Sequence, residues 1–230
     1  MGRALWIVLW LLSPLVWALD PCTAQSEVGS WCRLPIERLH PTQGGVGMLQ
    51  VERTRASLAG KSPKRLDKLM KKKEIPVVIS PDGQFWLVDR HHLTTALWRS
   101  GVREARVKVI ARLRDPANFW AQMRANHWAW LQDELGRPLD PARLPVRVAD
   151  LPDYPYRTLV GLLEDAGYID KSQQVYFIEF AWATWLGEQM GWAPVNRESV
   201  AERLQQAKLL ACSRRAAHLP GYPGRLCSKG

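Results

Sequence analysis

The sequence predicts an α/β fold of the α+β kind, a small mixed-sheet core followed by a helical extension. Three observations predict it. Ile75-Pro-Val-Val-Ile79 and Phe85-Trp-Leu-Val-Asp89 are β-branched and aromatic runs joined by the turn signal Pro81-Asp82-Gly83, which together read as a hairpin. A helical pattern begins directly after the second strand, from His91 to Arg99, and Ser100-Gly101 stops it. Beyond Asp115 the apolar residues recur at helical spacing.

Residues 19–46 are rich in Pro, Gly and Cys and read as loop, with Met48 to Val51 as a short strand. Ser62-Pro63 reads as an N-cap with proline at the first helical position. It opens a helix through Lys73 whose apolar stripe is Leu66, Leu69 and Met70. After the hairpin and its helix, Arg106 to Leu113 alternates as a third core strand. Pro116 to Glu134 carries Phe119, Trp120, Met123, Trp130 and Leu131 at helical spacing. A turn at Asp153 to Arg157 opens a helix ending near Gly167, and Val175 to Met190 and Glu198 to Leu210 read as two more. The chain therefore divides into a leader at 1–18, a cysteine-containing segment at 19–37, the α/β core at 38–114, a helical extension of the same domain at 115–210, and a basic cysteine-containing tail at 211–230.

The leader reading rests on Arg3 followed by an apolar run from Ala4 to Ala18. Val16 and Ala18 are the small residues that a signal peptidase needs before the cut, so cleavage is expected after Ala18. The run is shorter than the roughly 20 residues of a spanning helix and contains Pro14, so a membrane contact is expected only through an uncleaved leader. The expected destination is the periplasm or the exterior. The four cysteines agree: Cys22 and Cys32 lie near the start of the mature chain, Cys212 and Cys227 near its end. None forms a CxxC pair, which excludes a zinc ribbon or a thioredoxin-like redox site, and the set reads as a disulfide framework with three connectivities open.

The formal net charge is +10, and it is concentrated. Residues 53 to 73 hold nine Lys or Arg, including Lys64, Arg65, Lys68, Lys71, Lys72 and Lys73, against the single acid Asp67. Such a segment attracts phosphate backbones or other anionic polymers, or it is simply a solvated helix face.

The strongest chemical signal is Val88-Asp89-Arg90-His91-His92, where a strand gives way to a helix. Free N–H groups at a helix start attract an anion. Histidine transfers protons near neutral pH, Asp89 is placed to orient it, and Arg90 adds a fixed positive charge. Successive helical residues diverge by about 100°, so only one of the two imidazoles is needed at a ligand. Asp89, His91 and His92 are thus the candidate catalytic residues. A divalent metal on Asp89 and a histidine is the secondary option, with no third ligand in the sequence; the cofactor is otherwise open.

The stretch from Pro81 to Ala96, with Leu39-His-Pro-Thr-Gln43, Val46-Gly47, Ile75–Ile79, Asp153-Tyr-Pro-Tyr-Arg-Thr-Leu159 and Phe177-Ile-Glu-Phe-Ala-Trp182, resembles the ParB/sulfiredoxin superfamily, and within it the ParB-like nucleases. The resemblance implies a small α/β fold with a nucleotide or phosphate pocket beside the helix start. It places Thr42 and Gln43 on that pocket, and the turn before the later helix brings Arg157 to cap it or to pair with Glu179. The superfamily pattern of glycine, two residues, then arginine is broken here: Arg90 stands at the glycine and Leu93 at the arginine. The usual phosphate grip is therefore missing, with Arg90 as the substitute. The sulfiredoxin cysteine is also missing from this loop, which argues against that reaction.

Two functions follow as expectations. One is a nuclease-like hydrolase or transferase of phosphate esters, with nucleic acid or another phosphate-containing ligand as partner. The other is a non-catalytic module that binds an anionic polymer or envelope partner through 53–73. Nothing in the sequence fixes an oligomeric state.

Overall fold

Hydrogen bonding of extended, β-branched segments sets the frame, and the computed structural model describes residues 19–172 and 175–224. The leader and Cys227 lie outside the described residues. The strands are β1 (Trp31–Pro35), β2 (Leu39–Pro41), β3 (Pro76–Ile79), β4 (Phe85–Leu87) and β5 (Glu104–Arg112). They form one sheet in the order β1-β5-β3-β4-β2. Pairing is mixed: β3 lies antiparallel to β4 but parallel to β5, β2 runs parallel to β4, and β1 runs antiparallel to β5. The central strand β3 is buried on both faces, as its unbroken apolar run requires.

The helices are α1 (Met48–Leu58), α2 (Pro63–Lys73), α3 (His91–Arg99), α4 (Phe119–Ala125), α5 (Pro155–Asp165), α6 (Ile178–Gln189) and α7 (Val200–Ala211). One face of the sheet packs Val77, Ile79 and Leu87 against Val51 of α1, Met70 of α2 and Leu97 of α3. The other face turns Val78 and Trp86 toward Phe119 and Met123 of α4. A separate core, built round Leu159, Leu163, Trp182 and Leu186, holds α5, α6 and α7 together.

The fold class, the hairpin, α2, α3 and the three late helices match the sequence reading; four local expectations are corrected. Residues 19–46 are not loop throughout, because β1 and β2 form the two edges of the sheet. Met48 to Val51 is not a strand but the first turn of α1, whose Met48 N–H is accepted by Asp153 Oδ1 at 2.8 Å. That cap comes from 105 residues away, so local pattern does not show it. The helix expected from Pro116 to Glu134 is only α4. Asn126 ends it, His127 adopts a left-handed φ of 57°, and Trp130 N–H instead bonds the Thr42 carbonyl at 2.9 Å. Finally, the short edges leave β4 at Leu87, so Val88 and Asp89 belong to the connection into α3.

Cys22 is bonded to Cys32 across 10 residues of sequence, so these two cysteines pair locally. Cys212 is also disulfide-bonded. The first bridge pins residues 21–22 beside β1, where Cys22 N–H bonds the Arg33 carbonyl at 2.8 Å. Closing a loop of this length is worth about 3 kcal/mol through the unfolded chain. Cys22→Ser with Cys32→Ser should therefore lower the unfolding free energy in urea by about that amount; an unchanged midpoint would contradict it.

Candidate functional site

The connection from β4 to α3 carries the residues singled out by sequence. Arg90 is the N-cap of α3 and sits in the left-handed region, φ 68°. That conformation suits glycine, the residue that the resemblance noted above implies at this position. Here it is held by local bonds: Arg90 N–H to Asp89 Oδ1 at 2.6 Å and Arg90 Nε–H to the Lys73 carbonyl at 2.8 Å. Asp89 also lies 3.4 Å from the Arg90 guanidinium, and both side chains are exposed. Arg90 thus ties the end of α2 to the start of α3 and carries its charge at the rim of a cavity.

Both histidines point to the 42–47 loop. His91 Nε2 accepts the Thr42 N–H at 3.2 Å, and His92 Nε2 accepts the Gly47 N–H at 3.0 Å. A nitrogen that accepts cannot hold the proton, so each neutral ring carries it on Nδ1. The loop comes close enough because Gly47 has no side chain: a Cβ there would lie 2.7 Å from the Thr158 backbone nitrogen. Burial, followed by the charges of His92 and Arg157, holds His91 at a pKa of about 3, although a bond to the Leu87 carbonyl works the other way. Burial, then Arg157, holds His92 at about 3 as well.

Thr42 is fully buried, and its hydroxyl donates to the Leu87 carbonyl at 2.7 Å, so it braces the loop and is not among the residues lining the cavity. Gln43 does line it, with its amide fixed to the Gly45 carbonyl at 2.7 Å.

The cavity has a volume of about 750 Å³ and lies between the start of α3, α1, α5 and the segment entering α6. Both histidines, Asp89, Arg90, Lys73 and Arg157 are among its lining residues. Arg157 is only 8% exposed, and its Nε and Nη1 are buried without a hydrogen-bond partner. The expected pairing with Glu179 is not an ion pair within contact distance; instead the guanidinium lies over the Phe180 ring at 3.8 Å. Burial lowers its pKa while Glu179, Glu164 and Asp89 oppose the shift, and it remains a cation. A cation in such a place normally costs several kcal/mol unless a counter-ion completes it.

Sequence reasoning missed two charged residues of the same cavity, Lys171 and Glu164, and gave Glu179 a different partner. Lys171 bonds Glu179 at 2.5 Å and stands 3.3 Å from Glu164. Burial, then Glu179, raises the pKa of Glu164. For Glu179 burial works upward, but the Lys171 bond and the Arg157 charge prevail and lower it. The available signal was Arg157, Gly161 and Glu164 at helical spacing, one face of α5. An aromatic wall was also missed: His127 stacks on Tyr176 at 4.2 Å, with Phe177 and Trp128 beside them.

The six basic residues Lys64, Arg65, Lys68, Lys71, Lys72 and Lys73 are exposed on α2, and only Lys73 reaches the cavity. Among the described residues, no three His, Cys, Asp or Glu side chains come together as metal ligands, and no helix is long and apolar enough to cross a membrane.

A mixed sheet feeding a histidine-pinned helix start, closed by helices over a cavity lined by charges of both signs, is the class that the geometry defines. The family model described as "Putative ParB-like nuclease" matches residues 32–188, and the chain belongs to that family. The solved structure of protein Atu1540 from Agrobacterium tumefaciens is similar, with 30% identity, a TM-score of 0.72, and coverage of 85% of this chain and 98% of that one. The chromosome-partitioning protein ParB from Caulobacter crescentus, solved with CTP-gamma-S, overlaps far more loosely. It has 14% identity and a TM-score of 0.23, with 87% of this chain and 98% of that one covered. No curated protein matches the chain.

The two imidazoles make stability depend on pH. Their folded pKa values lie below the ordinary 6.5, so the stabilisation is complete above that value and is lost as pH falls toward 3. Between pH 6 and 5, urea unfolding should lose up to about 2.5 kcal/mol per pH unit from the two rings together. His91→Gln with His92→Gln should flatten that slope; a wild-type profile flat from pH 7 to 5 would contradict the burial account.

Proposed function

We propose that the cavity binds a phosphate ester, a nucleotide or nucleic-acid phosphate, and supports nuclease-like hydrolysis or transfer. The observation that carries this reading is the buried Arg157 guanidinium, with two nitrogens unpartnered, on the wall of a cavity large enough for such a ligand. An oxyanion supplies the missing acceptors and the opposite charge, and guanidinium is suited to it. Arg90 and Lys73 add positive charge at the rim, and the His127–Tyr176 stack offers a planar surface for a base.

The histidines take a different part from the acid and base expected of them. With Nε2 committed to the loop and the pKa near 3, His92 serves as a neutral Nδ1–H donor toward a ligand oxygen, and His91 holds the helix start in register. Asp89 fixes Arg90. Metal use stays open in this reading, with Asp89 as the exposed carboxylate at the rim.

Binding of a fluorescent mononucleotide and cleavage of single-stranded DNA or RNA test the reading. Arg157→Met should weaken nucleotide binding by at least tenfold while the protein stays folded. Equal affinity in wild type and variant would sink the anion site. Turnover that is lost on His92→Gln but not on Arg157→Met would restore the histidine as the centre of the chemistry.

A second reading has its own observation: none of the six α2 cations enters an ion pair among the described residues. They form an unneutralised face that suits an anionic polymer. Neutralising Lys71, Lys72 and Lys73 should then reduce the salt dependence of polymer binding and leave mononucleotide binding unchanged.

We also propose export, with the mature chain beginning at Leu19. The Cys22–Cys32 bridge supports an oxidising destination. Mass spectrometry of protein from the periplasm or medium should find that terminus; intact Met1 on protein retained in the cytoplasm would contradict it.

A further inference from the structure

The inner wall of the cavity is one face of α5. Arg157, Gly161 and Glu164 all line it, four and seven positions along the helix. Seven residues return nearly to the same angle and advance about 10 Å along the axis, so the three stand in a row. At Gly161 the Gln50 side chain of α1 packs directly onto the row, its amide nitrogen 2.6 Å from where a Cβ would stand. A ligand that spans the row therefore passes over Gln50, which lines the same cavity.

The two ends of the row are opposite in charge and both incomplete. At one end, Arg157 has Nε and Nη1 without acceptors. At the other, Glu164 Oε1 is buried and has no hydrogen-bond donor in bonding geometry. Lys171 Nζ stands 3.3 Å from that oxygen but is turned to Glu179, which it bonds at 2.5 Å. Glu164 and Glu179 together balance Arg157 and Lys171, so the inner cavity carries no net charge. A bare phosphate dianion would leave that interior strongly negative. A ligand with an anion at one end and an ammonium donor at the other offsets part of that charge, and it gives Arg157 its acceptors and Glu164 a donor beside Lys171.

From this row we infer that the ligand is bipolar, a phosphate ester gripped at Arg157 that also carries an amino or hydroxyl donor, about two helical turns away, received by Glu164. This rests on the anion site proposed above and adds a second point of recognition to it. Glu164 touches the ligand far from the phosphate and so selects among esters without altering the grip on the anion. The groups facing Glu164 are Lys171, Glu179 on α6 and Arg157 on its own helix, while α1 contributes only the uncharged Gln50 at this point.

Hexyl phosphate and 6-aminohexyl phosphate differ only in the distal amine and span the required length. Calorimetric titration of the folded, disulfide-bonded protein at pH 7 should show the amino compound binding at least tenfold tighter. Glu164→Gln should bring the two to within about twofold while hexyl phosphate still binds, and Arg157→Met should abolish both. If Glu164→Gln does not fold, the ratio of the two affinities in wild type should collapse between pH 7 and 4.5. Comparing the ratio cancels the titration of the phosphate itself. Equal affinities in wild type, or a preference that survives Glu164→Gln, would overturn the inference and leave the anion site standing. Failure of both compounds to bind wild type at all would remove the anion site, and this inference with it.

Discussion

A buried positive charge without a negative partner is the constraint around which this molecule is arranged. Arg157 has lost most of its water, and what it touches instead is the face of Phe180 and an open cavity. The acids whose charges reach it are held elsewhere, Glu179 and Glu164 beside Lys171 and Asp89 on Arg90. Pairing Arg157 with any of them would have been the cheaper arrangement for folding alone. The helices α5 and α6, tied by their own apolar core, hold the guanidinium in place regardless.

Beside that charge, the start of α3 is held by uncharged hydrogen bonds. Two neutral imidazoles receive N–H groups from Thr42 and Gly47, and this fixes the end of β2, the loop after it and the start of α3 as one unit. The low pKa of both rings follows from the same burial and from the field of Arg157. The two sets are therefore coupled: the Arg157 charge helps keep the histidines neutral, and neutral histidines keep the loop in place.

Sequence pattern made the core and its helix start legible because both are governed by local rules. The Pro81–Gly83 turn, the β-branched run before it and Ser62-Pro63 ahead of α2 each act within a few residues. The misreadings share the opposite property. Met48 begins a helix because Asp153 caps it, and the helix at Phe119 stops after Ala125 because Trp130 is taken up by Thr42. At the site, Asp89 to His92 drew attention as a cluster in sequence, and Arg157 through its family-like turn. Glu164 and Lys171 went unseen because they come together with Glu179 only through the packing of α5 against α6, which no periodicity records. The tautomers of the tandem histidines were not legible either, since the N–H donors that fix them come from a loop 45 and 49 residues away.

The direct test of the central claim is a crystal structure of the protein grown with a nucleoside monophosphate. The account predicts an oxyanion within hydrogen-bond distance of Arg157 Nε and Nη1, with both His–backbone bonds intact. A structure in which Arg157 has turned to pair with Glu164 or Glu179, and the phosphate lies on α2 or nowhere, would contradict it.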